Sequence, residues 1–580
     1  MNILGLTTMT ESAAVIMQDG QVTAAAEEER FTRVKHQGGI PYLAIESVLK
    51  KTGLRIREID SVAVYWNPYS LGFRLRWMAG MIFHQPGQFV KKLRRATSVW
   101  EGSHTSGPDA GWSGMFNIAG KLNKRFGESP KSTKYVDHHQ AHMASCFYGS
   151  DFDEAAILIM DGAGEAACTT TGVGRGSKIE VLDKHVLPHS LGHYYSAITG
   201  YLGFKMLGGE YKLMGLSPYG DSSGAEWIRN NYLITISPGR YKLNSQALDY
   251  HQALLGEFQG AFAEHFGPPR PCDEQSEFND RHRDIAASAQ RAFEEVVIDL
   301  ATVLRKNTGL PRLVIAGGCG LNCVANGQLL RKGIFDKIYV PPVPHDTGGA
   351  LGAAMLVNHE LQKQRPLPVT HAMYGPSFSN EAIVECLKVA SEKVEFTKLP
   401  EDELLLKTAQ VLADGGVIAW FQGSMEYGPR ALGNRSFLAD PRSDGIRDVI
   451  NAKIKKRELF RPFAPSVKVE KANEYFEINQ PAPFMTIVVP VREKAREKIP
   501  AVTHVNGTAR PQTVSRETNT RYWKLLDKFE TLTGVAVLLN TSFNIQEPIV
   551  CTPAEAIDTF CNSGTEALVL EDYWVTHCRG

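Results

Sequence analysis

Two histidines and two carboxylates are the residues whose types and spacing most directly suggest chemistry. His138 and His142 are four residues apart in a segment with helical spacing, so a helix would project both imidazoles from one face towards a shared metal ion. Asp161 opens a glycine-rich turn after an apolar segment, and Asp346 lies between a proline-rich loop and a pair of glycines. Histidines at this spacing also occur without any metal, so the metal interpretation depends on the two carboxylates. The mixed nitrogen and oxygen set favours iron(II), manganese or zinc over calcium.

Two cysteines offer an alternative ligand pair, because Cys319 and Cys323 are also four residues apart. They flank the glycine-rich turn 317–320, where small residues let the backbone approach a nucleotide closely. We therefore interpret them as part of a nucleotide-binding turn and not as metal ligands.

The last third of the sequence concentrates arginine among glycine, proline and aromatic residues. The run 420–436 reads WFQGSMEYGPRALGNRS, which suits a rigid loop that directs cations at an anion better than it suits a core. Arg430 and Arg461 each stand beside a proline, and bidentate arginine fits a phosphate dianion. Arg510 is also followed by a proline, and residues 540–544 (NTSFN) offer hydroxyl and amide groups after an apolar strand. These segments together predict a phosphate site.

A charged run, 453–457, precedes Arg461 in the sequence. For Lys453 and Lys456 in this run, a solvated helix face is the better interpretation.

The elements that must position these groups follow a repeated pattern. Two apolar strand pairs with polar glycine-containing turns are followed by a strand, a glycine-rich turn and a helix. The predicted strands are 3–6, 12–17, 22–26, 155–160, 169–172 and 313–316, and the predicted helix is 322–331. This pattern predicts a duplicated α/β ATPase of the actin-like (ASKHA) kind. In that fold the two turns grip phosphate from opposite sides and the late motif holds the nucleoside.

The length of 580 residues exceeds what one hydrophobic core usually serves. Residues 362–379 contain three prolines and no periodic pattern, which indicates a linker. We predict two domains, 1–365 and 366–580.

Composition narrows the possible partners. Lysine plus arginine equals aspartate plus glutamate at 63 each, which argues against coating nucleic acid by bulk charge. The nine cysteines include no C-x-x-C pair, which favours a reduced, cytoplasmic setting. The sequence shows no signal peptide and no run of 18 apolar residues, so we expect no membrane partner.

Segment 73–100 mixes aromatic and basic residues and could form a membrane-surface helix, although a helical cap or subunit contact fits better because Pro86 and Gly87 interrupt it.

Motifs along nearly the whole chain resemble those of the NodU/CmcH-type O-carbamoyltransferases of nodulation-factor and antibiotic biosynthesis. They are EEERFTRVKH (27–36), VDHHQAHMASCFYGS (136–150), DGAGE (161–165), GGEYKLMGL (208–216), AGGCGLNCVAN (316–326), YGPRALGNRS (427–436), FRPFAPSV (460–467), ARPQTV (509–514) and LNTSFN (539–544). The resemblance implies an actin-like domain followed by a YrdC-like α/β domain. It does not specify the acceptor.

The resemblance also implies roles for individual residues. It implies His138, His142, Asp161 and Asp346 as ligands of a divalent metal, Fe(II) above all, with Mn or Zn as alternatives. Carbamoyl phosphate and ATP, with Mg, would bind in the second domain at Arg430, Lys455, Arg461, Arg510, Ser542 and Asn544. Carbamoyl adenylate would bind in the first domain at Gly162, Gly164, Gly209, Gly317, Gly318 and Asn322. We expect Lys35, Arg430 and Lys455 to be catalytic, together with Glu11, whose role is a hypothesis drawn from a departure from the family pattern. A small hydroxylated acceptor, made in secondary metabolism, would be the other partner, and a homodimer is possible.

One departure from the family pattern concerns the first turn. Members commonly have His-Asp-Ser-Ala where this sequence has Thr10-Glu11-Ser12-Ala13. Threonine is no general base near neutral pH. Either Glu11 or a metal-linked carboxylate takes that role, or the acceptor differs from an amino sugar.

Three other functions share parts of these features. Threonylcarbamoylation of tRNA uses both domain types, but no basic RNA-binding stripe is evident. Hydrogenase maturation would need an acylphosphatase-like domain and zinc fingers, which the sequence lacks. A nucleotide-dependent scaffold or ATPase that has lost transfer is supported by the Thr10-Glu11 departure and opposed by the intact cation set.

Overall fold

The computed structural model describes residues 1–9, 11–68, 112–272 and 277–578. Thr10 and the predicted cap or contact segment 73–100 lie outside these ranges. We call 1–365 and 366–580, the predicted domains, the first and second domains, and the boundary itself stays a prediction. Among the helices in the described part of the chain, none combines the length and apolar character needed to cross a membrane.

The first domain contains two five-stranded sheets. One is formed by β1 (Asn2–Thr7), β2 (Ala13–Gln18), β3 (Gln21–Glu27), β4 (Ser61–Tyr65) and β5 (Thr133–Val136), in the order β3-β2-β1-β4-β5. The other is formed by β6 (Glu154–Met160), β7 (Ala167–Arg175), β8 (Lys178–Val186), β11 (Arg312–Ala316) and β12 (Lys337–Tyr339), in the order β8-β7-β6-β11-β12. A separate hairpin joins β9 (Leu233–Ser237) to β10 (Arg240–Leu243).

The two sheets repeat one topology. In each sheet, the first strand pairs antiparallel with the second, and the second pairs antiparallel with the third. The fourth strand pairs parallel with the first, and the fifth pairs parallel with the fourth. The predicted Asp19-Gly20 turn joins β2 to β3, with positive φ at both residues. The predicted duplicated actin-like fold is therefore confirmed.

Helices cover these sheets and connect their strands. In the first domain they are α1 (Glu29–Thr32), α2 (Tyr42–Thr52), α3 (Ile118–Phe126), α4 (His138–Phe147), α5 (Leu191–Tyr201), α6 (Glu210–Leu216), α7 (Ala225–Asn231), α8 (Tyr250–Ala253), α9 (Ala261–Phe266), α10 (Asp280–Thr308), α11 (Cys323–Arg331) and α12 (Thr347–Gln362).

The second domain is an α/β domain around one eight-stranded sheet. Its strands are β13 (Val394–Lys398), β14 (Ile418–Phe421), β15 (Arg435–Ala439), β16 (Ala464–Lys468), β19 (Gln512–Val514), β20 (Val537–Ser542), β21 (Ala567–Leu570) and β22 (Tyr573–His577), in the order β13-β22-β21-β14-β15-β20-β16-β19. The short strands β17 (Val489–Pro490) and β18 (Thr508–Ala509) pair with each other. The helices are α13 (Asn380–Val389), α14 (Glu401–Ala413), α15 (Gly445–Val449), α16 (Ala472–Tyr475), α17 (Glu493–Arg496), α18 (Thr520–Thr533) and α19 (Pro553–Ser563).

Helix α12 holds the two halves of the first domain together through close backbone approaches. At Gly5 in β1 an added Cβ would lie 2.0 Å from the carbonyl oxygen of Ala350, and at Gly352 an added Cβ would lie 1.8 Å from that of Ala141 in α4. Neither position has room for a side chain. The packing of α12 on α4 thereby fixes where residues at the starts of both helices meet.

Replacing Gly352 with alanine should therefore destabilise the protein. The methyl group has no space between two backbones, and overpacking of this kind costs about 1–3 kcal/mol. Thermal unfolding of Gly352→Ala should show a midpoint lower than wild type by at least about 3 °C. Gly445→Ala is the matched control, because its Cβ would contact only Ser443 Oγ at 3.9 Å. Equal midpoints for the two variants would contradict the packing argument.

Candidate active sites

A buried cluster of two histidines and two aspartates lies where α4, β6 and α12 meet. Asp137 caps the N-terminus of α4 by accepting from Gln140 N, so that His138 begins the helix and His142 follows one turn later. Asp161 follows β6 directly, and Asp346 precedes the first residue of α12. The structure thus brings together all four residues predicted from the sequence as metal ligands.

Their ligand atoms converge on one point. His138 Nε2 lies 2.7 Å from Asp161 Oδ2 and 3.0 Å from His142 Nε2. Asp346 Oδ1 lies 3.5 Å from the first of these nitrogens and 3.6 Å from the second. One ligand atom from each residue lies within 4.8 Å of every other. Two imidazole nitrogens and two carboxylates that face inward in this way are the donor set of a divalent transition metal.

Neighbouring groups hold the two carboxylates. Tyr65 donates from its hydroxyl to Asp346 Oδ2 at 3.1 Å, and Gly318 N donates to Asp161 Oδ1 at 2.9 Å. Burial opposes the charge of Asp161, but hydrogen bonds and charges from His138 and His142 outweigh burial and hold its pKa well below the usual range. The carboxylate is therefore available to a cation, and the outer hydrogen bonds fix its orientation.

Glycines predicted to approach the adenylate line the same end of the first domain. Gly317 has a φ of 88°, and a Cβ there would lie 2.2 Å from the carbonyl oxygen of Met160. Gly162 and Gly164 lie in the turn after Asp161, and Gly209 precedes α6. Gly317 and Gly318 thus bring backbone close to the metal cluster.

Asn322 has a structural role that sequence reasoning missed. Its side chain caps α11 by accepting from Ala325 N, and it exchanges two hydrogen bonds of 3.0 Å with the amide of Gln290. As a direct adenylate ligand it would have to give up part of this network.

Glu11 lies between two histidines. Its Oε1 is 2.6 Å from His36 Nδ1 and its Oε2 is 3.2 Å from His345 Nε2, with the backbone in the left-handed region at a φ of 55°. Burial would raise the pKa of this carboxyl, but the charges of both histidines and the hydrogen bond from His36 lower it to about 2. A carboxylate of that pKa is a weak base, so the geometry favours Glu11 as a group that orients the histidines.

The second domain contains a cluster of cations with few counter-charges. Arg430 and Arg510 have no hydrogen-bond or ion-pair partner among the described residues. Burial and the charges of Arg510 and Arg461 lower the pKa of Arg430 to about 9. Arg461 lies 3.6 Å from Glu458, and that carboxylate also binds Lys212 at 2.7 Å. Guanidinium groups crowded together with free donors are suited to bind an anion, and we call this cluster the candidate anion site.

The contacts of Lys455 differ from the direct anion contact that was predicted from the sequence. Its ammonium group donates to the backbone carbonyls of Ser542 and Asn544, each at 2.7 Å, and to Asn544 Oδ1 at 2.7 Å. Ser542 Oγ also donates to Asn544 Oδ1. All donors of Lys455 are engaged, so in this structure Lys455 holds the 542–544 loop, and direct anion contact would require one bond to break.

Arg457 is a member of the cluster that sequence reasoning did not single out. Its Nε donates to Asn451 Oδ1 at 2.7 Å, while its buried Nη2 has no partner among the described residues. Burial and the charge of Arg461 lower its pKa to about 9. Lys453 and Lys456, by contrast, are exposed.

The first domain contributes two groups to the edge of this cluster. The guanidinium of Arg461 lies 4.7 Å from the ring centre of Tyr211 in α6. Partial burial of its ammonium group, together with the charge of Arg461, lowers the pKa of Lys35 despite the opposing charge of Glu29. The anion site therefore lies at the interface between the domains.

The chain thus combines a duplicated actin-like domain that carries a buried His/Asp cluster with an α/β domain that carries unpaired guanidinium groups. The family model described as Carbamoyltransferase N-terminus matches residues 2–355, and that described as Carbamoyltransferase C-terminus matches residues 409–577. The chain belongs to the carbamoyltransferase family and is a carbamoyltransferase, as its NodU-type resemblance predicted.

Relatives support this assignment over most of the chain. Nodulation protein NolNO of Sinorhizobium fredii is 39% identical over 98% of this chain and 79% of its own length. Nodulation protein NolO of Bradyrhizobium diazoefficiens is 40% identical over 76% of this chain and 78% of its own length. Among solved structures, the activator of 2-hydroxyisocaproyl-CoA dehydratase from Clostridium difficile is 16% identical, with a TM-score of 0.31 over 63% of this chain and 96% of that one. A likeness at that level identifies neither a substrate nor a partner.

Removing the charge of Asp161 should abolish tight metal binding. Asp161→Asn keeps the shape of the side chain but loses a negative ligand, and we expect metal affinity to fall at least about 10-fold. Metal content after anaerobic dialysis against Fe(II), Mn(II) or Zn(II) measures this, with circular dichroism to verify folding. The control is Asp183→Asn, which alters a surface ion pair with Arg240. Unchanged metal content in Asp161→Asn would refute the site.

Proposed function

We propose that the protein is an ATP-dependent O-carbamoyltransferase that divides its reaction between the two domains. Carbamoyl adenylate is made in the second domain from carbamoyl phosphate and ATP, and the carbamoyl group is then transferred in the first domain to a hydroxyl of a small molecule. The observation that supports this division most strongly is the presence of unpaired Arg430 and Arg510 in one cluster and a separate buried His/Asp cluster in the other domain.

The first half-reaction needs dense positive charge. Water takes up the phosphoryl group of carbamoyl phosphate, which releases inorganic phosphate and carbamate. A carbamate oxygen then attacks the α-phosphorus of ATP, the bond between the α-phosphorus and its bridging oxygen breaks, and pyrophosphate leaves. Arg430, Arg461 and Arg510 stabilise charge on the departing phosphate and on the attacked phosphoryl group, and magnesium accompanies ATP.

The 542–544 loop and Lys455 support this half-reaction. Because Lys455 holds Ser542 and Asn544 through their backbone carbonyls, it fixes a loop at the end of β20 beside the guanidinium groups. A preorganised loop lowers the cost of ordering the site around a polyanion.

The second half-reaction uses the first domain. His138, His142, Asp161 and Asp346 would hold a divalent metal, Fe(II) or alternatively Mn or Zn, which when bound acts as a Lewis acid and offsets charge on the AMP phosphate. Gly317 and Gly318 bring backbone close to the nucleotide, with Gly162, Gly164 and Gly209 in the surrounding turns. The acceptor hydroxyl oxygen attacks the carbamoyl carbon, the bond from that carbon to the AMP oxygen breaks, and AMP leaves.

The proton of the acceptor hydroxyl goes to the imidazole of His36 or His345, the two groups that flank Glu11. Both carboxylate oxygens of Glu11 are already engaged by His36 and His345. We assign Glu11 the role of orienting these imidazoles, and Lys35 the role of adding positive charge where the domains meet. A small alcohol from secondary metabolism is the acceptor class we propose, in an enzyme that acts as a monomer or homodimer.

Carbamoyl phosphate should therefore trigger pyrophosphate release without any acceptor. We expect a burst of about one pyrophosphate per enzyme, because carbamoyl adenylate then occupies the site until an alcohol arrives. Arg430→Ala and Arg510→Ala should each slow the burst at least about 100-fold, since each removes a donor that stabilises developing charge. A rapid-quench assay with labelled ATP measures the burst.

Lys453→Ala is the matched control, because this nearby lysine is exposed, and its rate should stay within about twofold of wild type. Pyrophosphate release at the same rate with and without carbamoyl phosphate would contradict the proposal and favour the nucleotide-dependent scaffold.

A further inference from the structure

One loop of the second domain reaches into the first domain beside the metal cluster. This loop, residues 426–430, belongs to the YGPRALG motif and ends at Arg430 of the anion site. The side chain of Tyr427 is buried, and its hydroxyl donates to the backbone carbonyl of Thr347 at 2.5 Å. Thr347 is the first residue of α12 and follows Asp346 directly. The anion site and the metal site are thus joined through a short stretch of chain.

The neighbouring residue, Gly428, fixes the loop from the other side. Its carbonyl accepts from Arg30 Nη2 at 2.9 Å, and Arg30 is itself paired with Glu27 at 2.5 Å and Glu29 at 2.7 Å. Gly428 has a φ of 127°, and a Cβ there would lie 2.8 Å from the carbonyl oxygen of Pro342. Only glycine can sit this close to the loop that leads to Asp346.

Thr347 in turn connects the metal cluster to the first turn of the domain. Its Oγ1 donates to the carbonyl of Glu11 at 3.3 Å and lies 3.1 Å from His345 Nε2. The carbonyl that receives the Tyr427 hydroxyl therefore belongs to a residue whose side chain contacts both Glu11 and His345.

The loop is rigid on its second-domain side. Glu426 Oε1 accepts from the backbone N–H groups of Leu432 and Asn434 at 2.7 and 2.8 Å. Arg435 is fully buried and donates to the carbonyls of Gln422 and Asn434. Tyr427 and Arg430 therefore move together.

We propose that Tyr427 is a positioning residue for the metal centre and that, through it, occupancy of the anion cluster strengthens metal binding in the other domain. A polyanion that fixes Arg430 also fixes Tyr427, which fixes the carbonyl of Thr347 and the start of α12 that carries Asp346. Because linkage is reciprocal, a bound metal strengthens anion binding by the same factor. The inference rests on the two proposed sites but adds a coupling that neither requires.

The test uses full-length protein, with Co(II) as the metal probe and pyrophosphate as the anion probe. Titration of the visible absorption of bound cobalt gives the metal dissociation constant with and without pyrophosphate, expressed against free Co(II) after allowing for the cobalt–pyrophosphate complex in solution. In wild type we expect pyrophosphate to tighten cobalt binding at least about fivefold. In Tyr427→Phe we expect metal affinity to fall about 10-fold, the cobalt spectrum to shift, and the pyrophosphate effect to disappear, while excess cobalt restores occupancy.

Tyr374→Phe is the matched control, because the Tyr374 hydroxyl has no hydrogen-bond partner among the described residues. It should behave as wild type. If cobalt binds to wild type and is lost in Asp161→Asn, but Tyr427→Phe matches wild type with and without pyrophosphate, the coupling is refuted and the proposed function stands. If wild type binds no cobalt at the His/Asp cluster, both the coupling and the proposed metal site are refuted.

Discussion

Several guanidinium groups lie close together at the domain interface, and the rest of the second domain has to hold them there against their mutual repulsion. The contacts that fix them leave the charges largely uncompensated: Arg457 binds an amide oxygen, and Arg461 stacks on the ring of Tyr211. Arg435 sits fully buried among backbone carbonyls and keeps the loop before β15 in place. A bound polyanion would relieve this repulsion, and in the proposed function that polyanion is a nucleotide or an acyl phosphate.

The first domain has a different requirement, because it must bring carboxylates and imidazoles together at a buried site. Its means is close packing of backbone: Gly352 lets α12 touch α4, and Gly317 lets the turn after β11 approach β6. This close packing of the helices and strands holds the ligand atoms that they carry within reach of one another. A loop of the second domain then reaches this packed region at Tyr427, so the two centres are parts of one framework.

The two hairpin turns and the pair His138 and His142 could be predicted from the sequence, because each is a pattern within a short stretch of residues. The convergence of Asp161 with Asp346, 185 residues later, depends on tertiary packing, and the sequence suggested it only through the similar glycine-rich settings of the two carboxylates and through the family resemblance. Arg457 belongs to the charged run 453–457, for which a solvated helix face is the ordinary interpretation. The π-helical turn 450–454, with Lys455 N bonded to Ile450 O, ends the helix before Arg457, so helical spacing within the run does not show which side chain is buried. The sequence also does not show that neighbouring groups already engage the hydrogen-bonding atoms of Lys455 and Asn322.

The central claim is that adenylate formation and carbamoyl transfer occupy different clusters of the same chain. Exchange of labelled pyrophosphate into ATP, dependent on carbamoyl phosphate, reports the first step alone, and carbamoylation of an alcohol reports both. At saturating ATP and carbamoyl phosphate, where the reciprocal effect of the metal on anion affinity does not limit the rate, we predict that Asp161→Asn keeps the exchange within about twofold of wild type and loses carbamoylation, whereas Arg510→Ala loses both by about 100-fold. Loss of exchange in Asp161→Asn to the same extent as in Arg510→Ala would contradict the division of the reaction between the two domains.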